Sequence, residues 1–134
     1  MANACPCGAT DCACALYHNG AAAPDALSLM RSRYTAYVLK LYDYLMNTWH
    51  SDTRPAALEW EHQRWLGLEV KNYSVESPEH ATVEFVARYK VNGRAYRLHE
   101  ISNFVCEQGK WFYVDGEFPV TTDQRSMNLR KIHR

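Results

Sequence analysis

The stretch Thr82-Val83-Glu84-Phe85-Val86-Ala87-Arg88-Tyr89-Lys90-Val91-Asn92-Gly93 decides how this chain folds. Its apolar residues recur at every second position, which is typical of a β-strand that buries one face. The closing pair Asn92-Gly93 is a strong signal for a two-residue hairpin turn, so the chain after it is expected to return as an antiparallel partner. The residues of the predicted buried face are Val83, Phe85, Ala87, Tyr89 and Val91.

The segments on both sides of this hairpin extend it into a meander. Alternation of apolar and polar residues predicts strands over residues 66–71, 82–91, 96–106 and 111–114. The predicted turns are Pro78-Glu79, Gln108-Gly109 and Asp115-Gly116. Strands of up to about ten residues exceed the usual five or six, and long strands of this kind bend. A bent sheet with helices in front of it forms a cone with an interior.

A helical segment precedes the sheet. Pro24 and Asp25 are typical of a helix start. Apolar residues then recur at steps of three and four, which predicts an amphipathic helix over residues 25–40 that continues or restarts through 43–48.

A second, shorter helix is predicted from Pro55 to about Arg64, with Trp60 on one face, because proline is favoured at the first position of a helix. Together these elements predict an α+β fold, in which helices lie in front of a bent antiparallel sheet.

The N-terminus carries four of the five cysteines, in the run Cys5-Pro6-Cys7-Gly8-Ala9-Thr10-Asp11-Cys12-Ala13-Cys14. Four thiols this close together can surround one soft cation, and zinc, held tetrahedrally by thiolates at roughly 2.3 Å, fits best. The expected ligands are Cys5, Cys7, Cys12 and Cys14. His18 competes for the place of Cys12 or Cys14. Because four thiolates leave no position for water, the expected zinc ion is structural.

Disulfide bonds and a redox or storage role are the alternative uses of these thiols. Disulfides need an oxidising compartment. The N-terminus shows no basic region followed by an apolar run, the pattern of a secretory signal, so we expect reduced thiols and a cytoplasmic location. The fifth cysteine, Cys106, alternates with Phe104 and is expected to be a buried small hydrophobe.

Length and charge narrow the classes of partner. The 134 residues suit one α+β domain, expected over 23–120, between a zinc knuckle at 1–22 and a basic tail at 121–134. The 15 basic and 15 acidic residues cancel, so neither nucleic acid nor an anionic membrane is demanded as a partner. No segment approaches the roughly 20 apolar residues of a membrane span.

The tail is either a solvated end or a basic arm for RNA or phosphate. Its basic residues are Arg125, Arg130, Lys131, His133 and Arg134.

The interior of such a cone can hold a small molecule. The expected pocket residues are Arg33, Tyr34, Tyr37, Trp49, Trp65 and Ser102. Three residues are candidates for general acid–base chemistry there: Glu100, Asp115 and His50. Structural roles compete with that chemistry. Arg31 or Arg33 can form a buried ion pair with one of these carboxylates. His50 can be a helix-end residue that the helix dipole stabilises.

Two sets of residues resemble known families. Cys5-Pro6-Cys7-Gly8, with Cys14 and Tyr17-His18, resembles the SEC-C motif, a small zinc knuckle also found at the C-terminus of the SecA translocation ATPase. Met30-Arg31-Ser32-Arg33-Tyr34-Thr35-Ala36-Tyr37-Val38 is similar to the signature of the bacterial YchJ-like family. Further blocks in that family's order are Asp43-Tyr44-Leu45, Thr48-Trp49-His50, Trp65-Leu66-Gly67-Leu68, Phe85-Val86-Ala87-Arg88 and Trp111-Phe112-Tyr113-Val114-Asp115-Gly116.

The resemblance implies a zinc knuckle followed by a domain of nuclear transport factor 2-like fold. That fold is a cone of curved antiparallel sheet with helices packed in its mouth. The family has no established biochemical function. The SEC-C motif of SecA serves partner docking, which favours a non-catalytic adaptor, or a ligand-binding module, with a protein partner at the knuckle or a small molecule in the cone. The alternative is an isomerase- or hydrolase-like enzyme that uses a carboxylate of the cone, as ketosteroid isomerase, a relative by fold, does. Domains of this fold often pair through their sheets, which implies a homodimer.

The knuckle departs from the SEC-C pattern in its second pair. That pattern ends in adjacent Cys-Cys or Cys-His after a longer loop, whereas this chain has Cys12-Ala13-Cys14. On alignment through Tyr17-His18, Cys14 takes the second place of the pair and Cys12 is displaced by one. Cys12 and His18 both stay candidates for the fourth ligand, and Cys12 is preferred.

Overall fold

A computed structural model describes residues 5–9, 12–58 and 63–119. The helices are α1 (Cys14–His18), α2 (Ala26–Leu39) and α3 (Tyr42–Asn47). The strands are β1 (Arg64–Ser77), β2 (His80–Val91), β3 (Arg94–Glu107) and β4 (Lys110–Glu117). Trp60 and the predicted basic tail lie outside the described residues.

The four strands form one antiparallel sheet in the order β1-β2-β3-β4, as the alternating pattern predicted. Asn92 and Gly93 join β2 to β3 with φ angles of 53° and 82°. Gln108 and Gly109 join β3 to β4 with 54° and 79°. Positive φ at both central residues gives the turn the twist that flanking strands need. The two predicted hairpins are therefore confirmed.

The strands are longer than predicted, and they bend. Register shifts interrupt the β1–β2 pairing at three places, between Trp65/Gly67, Val70/Asn72 and Val75/Ser77. Such bulges raise the local twist and curve the sheet. The predicted turn at Asp115-Gly116 is wrong, because both residues continue β4 and pair with β3.

Helix α2 begins and ends close to the predicted positions. The Asp25 side chain caps it by accepting a 2.7 Å hydrogen bond from the backbone N–H of Ser28. Lys40 has a left-handed φ of 61°, which stops the helix and lets the chain restart as α3. The helix predicted from Pro55 is wrong for residues 55–58, which are not helical, and Arg64 already belongs to β1. A proline permits a helix start but does not supply the packing that a short helix needs.

The burial of α2 differs from that of a simple amphipathic helix. Besides its apolar residues, the helix buries Ser32, Arg33 and Thr35. The cause is that α2 has neighbours on several sides: it packs against β1, β2 and β4, and α1 covers it from the N-terminal segment. Cys7 and Cys14 belong to the same core cluster as the residues of α2 and the sheet.

The segment after α3 is tied to the last strand. Trp49 forms a bridge with Tyr113, and the backbone N–H of His50 donates to the carbonyl of Tyr113 at 2.7 Å. Cys106 is half-buried, not buried as expected, because it lies near the end of β3. None of the helices in the described part of the chain is long and apolar enough to cross a membrane.

Candidate metal centre and cavity

The sulfur atoms of four cysteines come together at the N-terminus. The Sγ atoms of Cys5, Cys7, Cys12 and Cys14 all lie within 4.8 Å of one another. A tetrahedral ion with metal–sulfur distances of roughly 2.3 Å places its sulfurs about 3.8 Å apart, so small side-chain rotations bring these atoms onto one ion. The donor set therefore fits a thiolate-bound metal ion.

Local backbone geometry brings the first pair of sulfurs together. The backbone N–H of Gly8 donates to the carbonyl of Cys5 at 2.9 Å and closes a tight turn. Gly8 has a φ of +88°, a conformation that side chains disfavour. Cys14 opens α1, and Cys12 precedes it by two residues, so the helix start presents the second pair.

Helix α2 supplies polar groups to this cluster, which we call the knuckle (described residues 5–9 and 12–18). The Thr35 hydroxyl lies 3.4 Å from Cys5 Sγ and 3.7 Å from Cys14 Sγ. The Arg31 Nη1 donates to the carbonyl of Cys7 at 2.8 Å. These contacts fix the knuckle to one side of α2, as outer-shell groups do around a metal site.

The thiols differ in acidity because their surroundings differ. Burial raises the pKa of Cys14 and of Cys7 above the usual range for a thiol. Burial acts in the same direction on Cys5, but hydrogen bonds, first of all the one from Thr35, lower the pKa of Cys5 to about 7. A bound cation would favour the thiolate form of all of them.

His18 points to a different partner. Its Nε2 donates to the carbonyl of Ser32 at 2.9 Å, and its ring packs edge-on against Tyr44 at a centroid distance of 4.7 Å. The structure thus brings Cys12, and not His18, to the other three cysteines. His18 instead helps to hold α1 against α2.

A cavity of about 80 Å³ lies between α2 and the concave face of the sheet. It can hold several water-sized groups, because one water needs roughly 10–15 Å³ on this measure. All six expected pocket residues line it, together with Glu100. The lining is Met30, Arg33, Tyr34, Tyr37, Trp49, Trp65, Phe85, Ala87, Leu98, Glu100, Ser102, Phe104, Tyr113 and Phe118.

The side chain of Arg33 is 5 % exposed and is held by helix α3 and two rings. Its Nη1 donates to the carbonyl of Leu45 at 2.8 Å and to the Thr48 hydroxyl at 2.7 Å. Its guanidinium carbon lies 5.2 Å from the centre of the Trp49 ring and 4.7 Å from that of Tyr113. Among the residues that the structure describes, no carboxylate forms an ion pair with Arg33, so these contacts take the place of the pair expected for Arg31 or Arg33.

Glu100 is a buried carboxylate of the cavity, 6 % exposed. Its Oε2 accepts hydrogen bonds from the Tyr113 hydroxyl at 2.8 Å and the Ser102 hydroxyl at 3.0 Å. Gly116 provides the room for this side chain, because a Cβ at that position would overlap the Glu100 carboxylate.

The other two candidate catalytic residues have partners elsewhere. His50 Nε2 lies 2.8 Å from Glu107, and Asp115 accepts a 2.8 Å hydrogen bond from the amide of Asn103. Neither is among the described residues that line the cavity. His50 also lies beyond the end of α3, so the interpretation as a helix-end histidine is wrong.

Sequence reasoning missed Thr35, Tyr113 and Gly116. The position of Thr35 as the polar residue in the stretch Tyr34-Thr35-Ala36-Tyr37-Val38-Leu39 is a signal that could have been used. Tyr113 follows the alternation of β4, but its hydroxyl partner lies on another strand. Gly116 was interpreted as part of a turn, because the local sequence does not show that Glu100 of the neighbouring strand packs over it.

The fold and the site define a class: an α+β domain of nuclear transport factor 2-like fold with a cysteine knuckle before it. The family described as "YchJ, middle NTF2-like domain" matches residues 25–116. The chain belongs to this YchJ family, which confirms the resemblance found in the sequence.

Relatives and solved structures agree with this assignment. The chain is 54 % identical over 123 residues to a UPF0225 protein of Bordetella parapertussis, covering 85 % of this chain and 92 % of the relative. It is 56 % identical over 119 residues to one of Methylibium petroleiphilum, covering 84 % and 87 %. The solution structure of a SEC-C motif containing protein from Rhodopseudomonas palustris is similar with a TM-score of 0.72 and 34 % identity, covering 88 % of this chain and 98 % of that one. A crystal structure of a SEC-C motif containing protein from Psychrobacter arcticus has a TM-score of 0.68 and 30 % identity, covering 91 % and 86 %.

Proposed function

We propose that this protein is a non-catalytic module that binds a small molecule in its cone, with a structural zinc ion in its knuckle. The observation that carries the proposal is the position of α2. One side of the helix, through Arg31 and Thr35, holds the cysteine cluster. Another side, through Arg33, Tyr34 and Tyr37, lines the cavity.

Zinc is the metal that the donor set favours. Thiolates are soft ligands, and a closed set of four is typical of structural zinc. A segment as short as the knuckle cannot bury a core by itself, so bound metal would supply the free energy that orders it. Buried Cys7 and Cys14 then extend the core beneath α2.

The cavity has the composition of a ligand site. Aromatic and aliphatic side chains form most of its lining, and a few polar groups, Arg33, Glu100 and Ser102, are placed among them. Small-molecule sites commonly combine an apolar wall with a small number of fixed polar groups. Of the three candidate catalytic residues, Glu100 alone lies in the cavity, and its carboxylate is held by the hydroxyls of Ser102 and Tyr113, which favours binding over acid–base catalysis.

A protein adaptor is the second candidate. It is supported by Leu16 on α1, whose side chain is 63 % exposed on the knuckle. An exposed large apolar side chain beside a metal knuckle suits partner docking. This role would be supported if the Leu16→Asp variant no longer binds a purified partner protein that the parent binds, while its metal content is unchanged.

The first experiment measures zinc per chain in protein purified without added metal, for the parent, Cys12→Ala and His18→Ala. We expect one zinc per chain in the parent and in His18→Ala, and loss in Cys12→Ala. The same zinc-loaded protein is then screened by thermal shift against small apolar molecules, with Leu16→Asp as a surface control that keeps the cavity. If the parent protein contains no zinc, the proposal of a structural zinc ion is wrong. If no molecule shifts the melting temperature, the proposal of a binding module is wrong.

A further inference from the structure

The cavity contains a buried cation whose hydrogen-bonding capacity is only partly used. A guanidinium has five N–H groups. The Nη1 of Arg33 donates to Leu45 and Thr48, and these bonds account for its two hydrogens. Within the described part of the chain, the remaining N–H groups of Arg33, on Nε and Nη2, donate to no residue. Buried charges are normally paired, so these groups call for an acceptor.

The surroundings of Arg33 define which side of the guanidinium can accept a ligand. The Trp49 and Tyr113 rings lie 5.2 and 4.7 Å from its central carbon. Nη1 is directed to the end of α3. What is left is the edge formed by Nε and Nη2. Two parallel N–H groups on such an edge match the two oxygens of a carboxylate.

Trp49 adds a second, independent sign of a missing acceptor. Its Nε1 is buried and has no hydrogen-bond partner among the described residues. Trp49 is 2 % exposed and lines the same cavity. Indole is a donor only, so this group, like the free edge of Arg33, needs an oxygen from elsewhere.

We propose that the cavity binds a small organic monocarboxylate, whose oxygens accept from Nε and Nη2 of Arg33. This inference rests on the proposed binding function and specifies the ligand. The apolar body of the acid packs against the rings that line the cavity. A volume of about 80 Å³ corresponds to roughly five to eight water-sized groups, which suits a short branched chain or a single ring. Besides Trp49 and Tyr113, these rings belong to Tyr34, Tyr37, Trp65, Phe85, Phe104 and Phe118.

Glu100 explains why the ligand carries one carboxylate and not two. Arg33 contacts the ring of Tyr113, whereas Glu100 accepts from the hydroxyl of the same tyrosine. The cation thus lies at the ring of Tyr113, and the carboxylate lies at the hydroxyl end of the same side chain. One ligand carboxylate can reach the cation, but a second would face the buried carboxylate of Glu100, and like charges repel strongly at low dielectric.

The test compares acids with matched amides on the zinc-loaded full chain. The probes are acetate, isobutyrate and benzoate, each against its amide, with succinate as the dicarboxylate. Binding is followed by the fluorescence of the tryptophans and by the NMR signals of their indole N–H groups. We expect at least one monocarboxylate to bind about tenfold or more tightly than its amide, because the bidentate charged pair is lost in the amide. Succinate is expected to bind more weakly than the best monocarboxylate.

The outcomes separate this inference from the broader proposal. If amides bind as tightly as acids, or succinate binds best, the carboxylate inference is overturned and the binding module survives. If no probe binds to folded, zinc-loaded protein, the carboxylate inference is overturned. A wider panel of neutral molecules then tests whether the cavity binds any small molecule.

A pair of variants then assigns the effect to one residue. Arg33→Lys keeps a positive charge and a donor for α3 but removes the forked edge, so we expect the acid-over-amide preference to fall about tenfold. Arg88→Lys is the matched control, because Arg88 is exposed on β2, pairs with Glu69 and does not line the cavity. Unchanged preference in folded Arg33→Lys would overturn the role of the fork. The comparison of acid with amide is made in the parent protein, so it stays informative even where a variant does not fold.

Discussion

The carboxylate of Glu100 occupies the space that a side chain at Gly116 would fill. The two residues lie on neighbouring strands, and Gly116 pairs with Ser102, which itself donates to Glu100. The missing Cβ at Gly116 is therefore what allows a buried carboxylate to reach the hydroxyls of Ser102 and Tyr113. A small residue in one strand positions a charged residue in the next.

Replacement of Gly116 by Ala is expected to destabilise the fold. The added methyl group would displace Glu100 from its two hydroxyl donors, and overpacking with lost hydrogen bonds costs about 1–3 kcal/mol. Urea denaturation monitored by circular dichroism measures the change in the free energy of unfolding. Gly67→Ala is the matched control, because a Cβ at that strand position meets nothing within 4 Å. If the two variants are equally stable, the packing of Glu100 over Gly116 does not contribute to stability. A smaller effect of Gly116→Ala in a Glu100→Ala background would locate the cost in this pair.

Thr35 is expected to tune metal affinity from outside the coordination sphere. Its hydroxyl lies near two cysteine sulfurs, and loss of such an outer group commonly weakens metal binding about 10–100-fold. Thr35→Val keeps the shape and removes the hydroxyl, whereas Thr35→Ser keeps the hydroxyl. Competition with a chromophoric chelator measures zinc affinity in each. We expect weak binding in the valine variant and near-parent binding in the serine variant. Equal affinities in both variants would show that the hydroxyl does not act on the metal.

Removal of the metal is expected to lower the thermal stability of the whole domain. The knuckle shares its core with α2 and the sheet, since Cys7 and Cys14 lie in the main cluster. A ligand at about a thousandfold over its Kd stabilises a protein by about 4 kcal/mol, so chelation should lower the melting temperature and added zinc should restore it. Calorimetry with and without chelator makes the measurement. In a Cys5→Ser, Cys14→Ser variant, the chelator should have no effect. If the melting temperature of the parent protein does not change when the chelator is added, the metal has no structural role.

The strands and hairpins were predictable because their signals are local. The alternation over Thr82 to Val91 and the Asn92-Gly93 pair require only neighbouring residues to be interpreted. The cysteine cluster was predictable for the same reason, since its members are close in sequence. The family resemblance added the fold around these elements.

The features that failed depend on contacts between distant residues. The turn predicted at Asp115-Gly116 was wrong. Gly116 leaves room for the carboxylate of Glu100 on the neighbouring strand, and no local sequence pattern indicates this contact. An ion pair with Glu100 or Asp115 was expected for Arg31 or Arg33, yet helix α3 and two rings hold Arg33. A backbone carbonyl and aromatic rings that lie far apart in the sequence thus take the place of the carboxylate that was expected beside the arginine.

Tyr34 is expected to make the fold sensitive to alkaline pH. Burial raises the pKa of Tyr34 from its ordinary 10.0 to about 12. Because the folded state holds the proton more tightly, its contribution to stability is complete below pH 10 and is lost as the pH rises through about 12. Tyr34→Phe cannot ionise, so its free energy of unfolding should fall less steeply between pH 10 and pH 12 than that of the parent. Urea titrations at pH 8, 10 and 11 measure this slope, with the difference at pH 8 giving the cost of the lost hydroxyl alone. Parallel slopes for the two proteins would mean that Tyr34 ionises in the folded state as readily as in the unfolded chain.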